Sequence, residues 1–210
     1  MSSIKIQWLG HSCMAVEKDD YRIVFDPYKN KSVDGLKKPK SDADLVLCSH
    51  DHADHSGAKE IKLRKDADSK TCPFEITEIS SFHDEERGAR RGSNTIRILN
   101  DGNCRIAHMG DIGCAPEPEQ KDLLKNLDVM LVPVGGFFTL EPDAIKALVD
   151  ELQPTIVIPM HYRGDGFGYP VIGTLDAYTD LCNDVVKYET DTFVVPAEPE
   201  KQTAVLALNR

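Results

Sequence analysis

The 210-residue chain predicts an α/β (α+β) fold, a four-layer αββα sandwich with two sheets face to face and helices outside. Three observations predict it. Short alternating strands and tight turns fill the first half, helices separate the strands of the second half, and metal-ligand side chains stand where strands end. Hairpins followed by strand–helix alternation are accommodated when two sheets bury one face each against the other. The pattern predicts one domain over residues 1–210, without repeat or linker.

The elements follow in order. Ile4, Ile6 and Trp8 alternate with polar neighbours, as a half-buried strand does. After the Gly10-His11-Ser12 turn, Cys13 to Glu17 and Tyr21 to Phe25 read as strands, the latter stopped at Asp26-Pro27 because proline cannot donate to a ladder. Residues 29 to 42, with Lys31, Lys37, Lys38 and Lys40, read as an exposed loop. Asp44 to Cys48 reads as a buried strand, and Ala58 to Lys65 has helical composition. Pro73 to Ser80 supplies another strand, and Glu85 to Gly92 is a charged loop. Thr95 to Leu99 and Arg105 to Met109 flank Asp101-Gly102, a strong hairpin signal.

Helices are predicted at Glu117 to Leu127, at Pro142 to Leu152 and near Leu175 to Asn183. Buried strands are predicted at Val129 to Val134 and Thr155 to Pro159. Val185 to Tyr188, Thr192 to Val195 and Thr203 to Leu208 close the chain.

Composition removes several classes of function. A net charge of −10 opposes nonspecific binding to nucleic acid or anionic membrane, and no apolar run is long enough to span a bilayer. The amino-terminal residues lack the layout of a signal peptide. Six scattered cysteines without a Cys-x-x-Cys pair read as reduced thiols, which points to the cytoplasm. A homo-oligomer is compatible with the sequence.

What remains is chemistry at the strand ends. Between Ser49 and Gly57 stand His50, Asp51, His52, Asp54 and His55, directly after the apolar run Leu45 to Cys48. Imidazoles and carboxylates packed this closely at a strand end are costly unless a cation sits among them. His83, Asp111 and His161 end later strands, and His11 lies at a strand–turn junction. Rigid strands present such positions well, so four separate stretches could converge at one sheet edge.

The set His50-x-His52-x-Asp54-His55, His83, Gly110-Asp111 and Pro159-Met160-His161-Tyr162 resembles the metallo-β-lactamase superfamily of binuclear hydrolases. Trp8-Leu9-Gly10-His11-Ser12-Cys13 and Gly135-Gly136-Phe137-Phe138-Thr139 are similar to the branch with L-ascorbate 6-phosphate lactonase and zinc-dependent hydrolases. The resemblance implies two divalent ions, zinc first, with manganese or iron compatible with the nitrogen and oxygen ligands. His50, His52 and His83 would hold one ion, Asp54, His55 and His161 the other, and Asp111 would bridge them. Asp54 and Asp111 would be the catalytic carboxylates, Asp54 orienting a nucleophilic hydroxide generated at the ions.

Other residues carry two readings each. His11 is either near the site or a hydrogen-bonded turn residue. Asp26 either orients a ligand histidine, as in the family, or caps a turn. His108 is expected to be structural, since a regular strand would point it away from Asp111. Tyr162 and the Phe137-Phe138 pair line the pocket or pack the core. Arg87, Arg90 and Arg91 follow His83, and at least one is expected to grip an anionic small-molecule substrate.

The reaction expected is hydrolysis of an ester or lactone. Rival readings are a phosphodiesterase of the same fold, a di-iron redox protein, and a metal-binding protein without turnover. The nuclease branches carry an inserted domain for which this chain has no room.

Overall fold

A computed structural model describes residues 3–209. The first half gives β1 (Lys5–Gly10), β2 (Cys13–Lys18), β3 (Tyr21–Phe25), β4 (Asp42–Ala43), β5 (Leu45–Leu47), β6 (Lys62–Leu63), β7 (Glu75–Phe82), β8 (Ser93–Asn100) and β9 (Arg105–His108). The second half gives α1 (Pro118–Leu123), β10 (Val129–Pro133), α2 (Pro142–Leu152), β11 (Ile156–Met160), α3 (Asp176–Thr179), β12 (Val185–Lys187), β13 (Thr192–Val194) and β14 (Gln202–Val205).

Two larger sheets result. One has five strands in the order β13-β1-β2-β3-β5, the other seven in the order β12-β14-β11-β10-β9-β8-β7. A two-stranded ribbon pairs β4 with β6. The predicted hairpin is present as β8 and β9, antiparallel from Arg97–His108 to Asn100–Arg105. In the seven-stranded sheet β9, β10, β11, β14 and β12 run parallel. β10 and β11 are buried along their whole length, as parallel strands covered on both faces are. β1 alternates instead, with Ile6, Trp8 and Gly10 turned inward.

The core lies between the sheets. Ile6, Trp8, Met14, Val16, Ile23 and Phe25 from one face Leu99, Ile106 and Leu131 from the other, while Ile96, Ile98 and Met130 are buried on the opposite face of the seven-stranded sheet. α2 adds Ile145, Leu148, Val149 and Leu152 from its apolar stripe, begins at Pro142, and ends at Gln153 in a left-handed conformation.

The structure departs from expectation in three places. Ala58 to Lys65 forms a 3-10 turn (Ala58–Glu60) and then β6, because Lys62 and Leu63 pair in parallel with Asp42 and Ala43 instead of coiling. The helices at 117–127 and 175–183 shorten to six and four residues. Both lack the run of inward apolar residues that sustains α2, and short helices draw stability from packing more than propensity. β5 is half-buried, not buried, because it is an edge strand of the five-stranded sheet. No helix among the described residues is long and apolar enough to cross a membrane.

Strand direction decides where chemistry gathers. β7 and β9 are both antiparallel to β8, so β7, β9, β10 and β11 all end on one edge of their sheet. β1, β3 and β5 likewise end on one edge of theirs. His11, Asp26, the 48–57 loop, His83, Asp111 and His161 each follow one of those ends.

Candidate metal centre

The loop after β5 is fastened before it presents any ligand. Its Ala53 carbonyl accepts the Lys29 N–H at 2.8 Å, and Gly57 N–H donates to the Pro27 carbonyl at 2.6 Å. Only glycine fits there, since a Cβ at position 57 would lie 2.5 Å from the Tyr28 carbonyl carbon. From the other sheet, Thr95 N–H donates to the Ser49 carbonyl at 3.1 Å, and Arg97 Nη1 donates to the Cys48 carbonyl at 2.8 Å.

Asp26 sits under this loop, fully buried with φ 44°. It accepts Ser49 N–H and Ser49 Oγ–H, each at 2.6 Å, and Nδ1–H of His55 at 2.8 Å. Because Ser49 Oγ spends its proton on Asp26, it can only accept from Nδ1–H of His50, at 2.9 Å. Both histidines are thereby set with Nδ1 protonated, and their Nε2 lone pairs face the site. Burial opposes ionisation of Asp26, but the neighbouring His55 and His108 and the bonds it accepts hold it below its ordinary value.

The Asp111 turn is fastened by a residue that the sequence did not single out. Asn94 Oδ1 accepts Asp111 N–H at 3.0 Å while its Nδ2 donates to Ser81 Oγ and to the Met109 carbonyl. Gly113 then passes against His83, where a Cβ would stand 2.3 Å from its carbonyl carbon. His161 follows β11 at φ 51°, its N–H donating to the His11 carbonyl at 3.2 Å.

All seven sequence-predicted residues meet. The ligand atoms of His50, His52 and His83 lie within 4.8 Å of one another, as do those of Asp54, His55 and His161 together with His11. Asp111 Oδ2 lies between the groups, 3.0 Å from His55 Nε2, 3.2 Å from His161 Nε2 and 3.4 Å from His83 Nε2. His50 Nε2 and His52 Nδ1 are 3.1 Å apart.

These residues fit divalent cations. Two ligands at tetrahedral positions around zinc, each about 2.0–2.1 Å from it, are separated by roughly 3.3 Å, which is the spacing seen between the facing atoms. Buried Asp111 Oδ1 and Nδ1 of His161 also lack hydrogen-bond partners. In a folded protein such atoms are seldom left unsatisfied.

The charges agree. Burial opposes a proton on His55, yet Asp111 and Asp26 on either side raise its pKa well above the ordinary value. Asp111 is held well below its own, against its burial, by His161 and His55. A proton on His55 thus occupies, in the metal-free protein, part of the charge deficit that a cation would fill.

His11 belongs to the centre. Buried at φ 52°, it places Nε2 3.1 Å from Asp54 Oδ2, and burial with the adjacent His161 lowers its pKa to about 4. A neutral ring therefore donates Nε2–H to the carboxylate. His108 is structural, as expected: Nε2–H donates to the Ser12 carbonyl, Nδ1 accepts Gly110 N–H, and Phe25 stacks on the ring.

A cavity of roughly 190 Å³ opens over the centre, lined by His52, Asp54, His83, Asp111, Arg91, Phe138 and Tyr169. Tyr162 packs instead against Trp8 and Phe167 in the core, and Phe137 is exposed. Tyr169 was not legible in the sequence. Its position follows from a contact far along the chain, its hydroxyl donating to the Ser32 carbonyl at 2.8 Å.

Two facing sheets with a histidine–aspartate cluster on their common edge make a candidate metal centre between layers. The family model described as Beta-lactamase superfamily domain matches residues 5–161, and the chain belongs to that superfamily, among its metal-dependent hydrolases. The UPF0173 metal-dependent hydrolase of Nanoarchaeum equitans is 30% identical over 191 residues, 76% of this chain and 84% of that one. That of Hyperthermus butylicus is 25% identical over 230 residues, covering 92% and 96%. A metallo-β-lactamase superfamily structure from Thermotoga maritima superposes with a TM-score of 0.75 at 26% identity, over 98% of this chain and all of that one.

Proposed function

We propose that this protein hydrolyses a carboxylic ester or lactone in a small anionic molecule, using two divalent cations, zinc first. The observation that supports this most is Asp111 Oδ2 standing between two histidine-rich groups whose facing atoms have ligand spacing. His50, His52 and His83 would hold one ion and Asp54, His55 and His161 the other, with Asp111 available to both. Such a pair supplies a water acidified to a pKa of about 7 and an electrophilic clamp on the attacked group.

The chain's own residues do the rest. Asp26 fixes the tautomer of His55 directly and that of His50 through Ser49. His11 holds Asp54, the carboxylate placed to orient the attacking oxygen. Phe138 and Tyr169 wall the cavity and limit water beside the reacting bond. All six cysteines are unpaired thiols, in keeping with a cytoplasmic protein.

Metal analysis of protein prepared without added ions, joined to a panel of lactones, carboxylic esters and phosphodiesters, tests the reading. Two ions per chain and turnover of a lactone or ester are expected. Protein that stays free of metal under saturating zinc, manganese and iron would refute it. So would loaded protein that turns over only the phosphodiesters, or nothing.

A further inference from the structure

The segment between His83 and β8 carries three arginines, and the structure gives them different employment. Arg87 reaches Glu117 at 3.4 Å and Arg90 pairs with Glu86, both exposed. Arg91 is half-buried and forms no ion pair among the described residues. Its guanidinium lies 5.4 Å from the centroid of the Phe138 ring. It lines the cavity over the metal centre and also an adjoining cavity of roughly 290 Å³.

The segment is built to keep it there. Buried Asp84 accepts four backbone N–H groups, from Glu86 and Gly88 on Oδ1 at 2.8 and 2.9 Å, and from Arg90 and Arg91 on Oδ2 at 3.0 and 2.7 Å. Gly92 at φ 89° returns its carbonyl to His83 N–H at 3.1 Å, so the segment closes on a metal-centre residue.

We propose that Arg91 binds a single carboxylate of the substrate, with Asp84 as its positioning residue. The uncharged remainder of the substrate lies along Phe138 into the adjoining cavity. This rests on the hydrolase reading and adds to it the substrate class, a monoanionic ester. A guanidinium held over a ring face, as Arg91 is over Phe138, leaves donors free for a planar carboxylate. One unpaired cation suits one negative charge, and Glu85 and Glu141 in the adjoining lining repel a second.

The test compares mono(4-nitrophenyl) glutarate with neutral 4-nitrophenyl butyrate on zinc-loaded protein. Arg91→Ala should cost the anionic ester about 10- to 100-fold in kcat/KM, carried by KM, and leave the neutral ester little changed. Asp84→Asn should raise the same KM at unaltered metal content, Arg91→Lys should restore part of the loss, and Arg87→Ala should change neither substrate. Equal losses on both esters, or none, would overturn the proposal. If wild-type protein turns over neither these esters nor any lactone, the hydrolase reading fails by itself. Calorimetry with monomethyl glutarate then decides about Arg91: binding about tenfold weaker in Arg91→Ala supports it, whereas equal binding, or none to wild type, overturns it.

Discussion

Nδ1 of His55 donates to the Asp26 carboxylate at 2.8 Å, while Nε2 of the same ring lies 3.0 Å from Asp111. One imidazole therefore joins a buried structural carboxylate to the one placed between the two ligand groups. Replacing Asp26 by Asn would turn a donor toward Nδ1 of His55 and favour the wrong tautomer. Competition with a chelating dye should show affinity for zinc about 10- to 100-fold weaker, at a fold intact by circular dichroism. Unchanged affinity would leave Asp26 as a turn cap alone.

His11 bonds to Asp54 and touches only one of the two ligand groups. His11→Ala should empty the Asp54–His55–His161 site first, leaving about one ion per chain at limiting zinc. Elemental analysis across a zinc titration reads this. Equal loss from both sites would contradict it.

Metal removal should be felt in stability. A ligand that binds only the folded state at about a thousand times its Kd contributes about 4 kcal/mol, or on the order of 10 °C in Tm at this chain length. Scanning fluorimetry after chelation and after refilling with zinc should show that drop and its recovery. A constant Tm, with metal content shown to reach zero, would mean the centre is self-sufficient without cations.

A second polar cluster, away from the metal centre, should add to the acid sensitivity of the fold. Asp44 accepts Arg22 N–H at 2.8 Å and meets Arg64 at 3.0 Å and Lys70 at 3.2 Å. Burial opposes its ionisation, but these partners hold its pKa below the ordinary value. A depressed folded pKa gives stability that is present above the unfolded value, about 3.9, and is lost as pH falls through the folded one. Asp44→Asn should therefore cost about 2 kcal/mol at pH 7, and the gap from wild type should narrow below about pH 4. A pH-independent gap in denaturant midpoints would assign the loss to packing instead.

Much of the centre was legible because its ligands are rare side chains at strand ends, where periodicity stops and packing no longer explains them. His50 to His55, His83, Asp111 and His161 all had that signature, and the structure brings them together. What stayed hidden depends on contacts between distant segments. Asn94 reads as an ordinary strand residue until it is seen bonded to Asp111 N–H. Arg91 is indistinguishable from Arg87 and Arg90 until Glu117 and Glu86 engage the other two. Helical composition at Ala58 to Lys65 gave way to pairing with Asp42–Ala43, a partner some twenty residues earlier that no local window includes.

The strand ends contribute unequally to this centre: His50, His52, Asp54 and His55 hang from the five-stranded sheet, His83, Asp111 and His161 from the seven-stranded one. Cations held there would act as rivets through the seam of the sandwich, not ornaments on one leaf. Prying the leaves apart at that rim and stripping such ions would then become the same event, so the mouth of the proposed cleft would also be the hinge on which the molecule's cohesion turns.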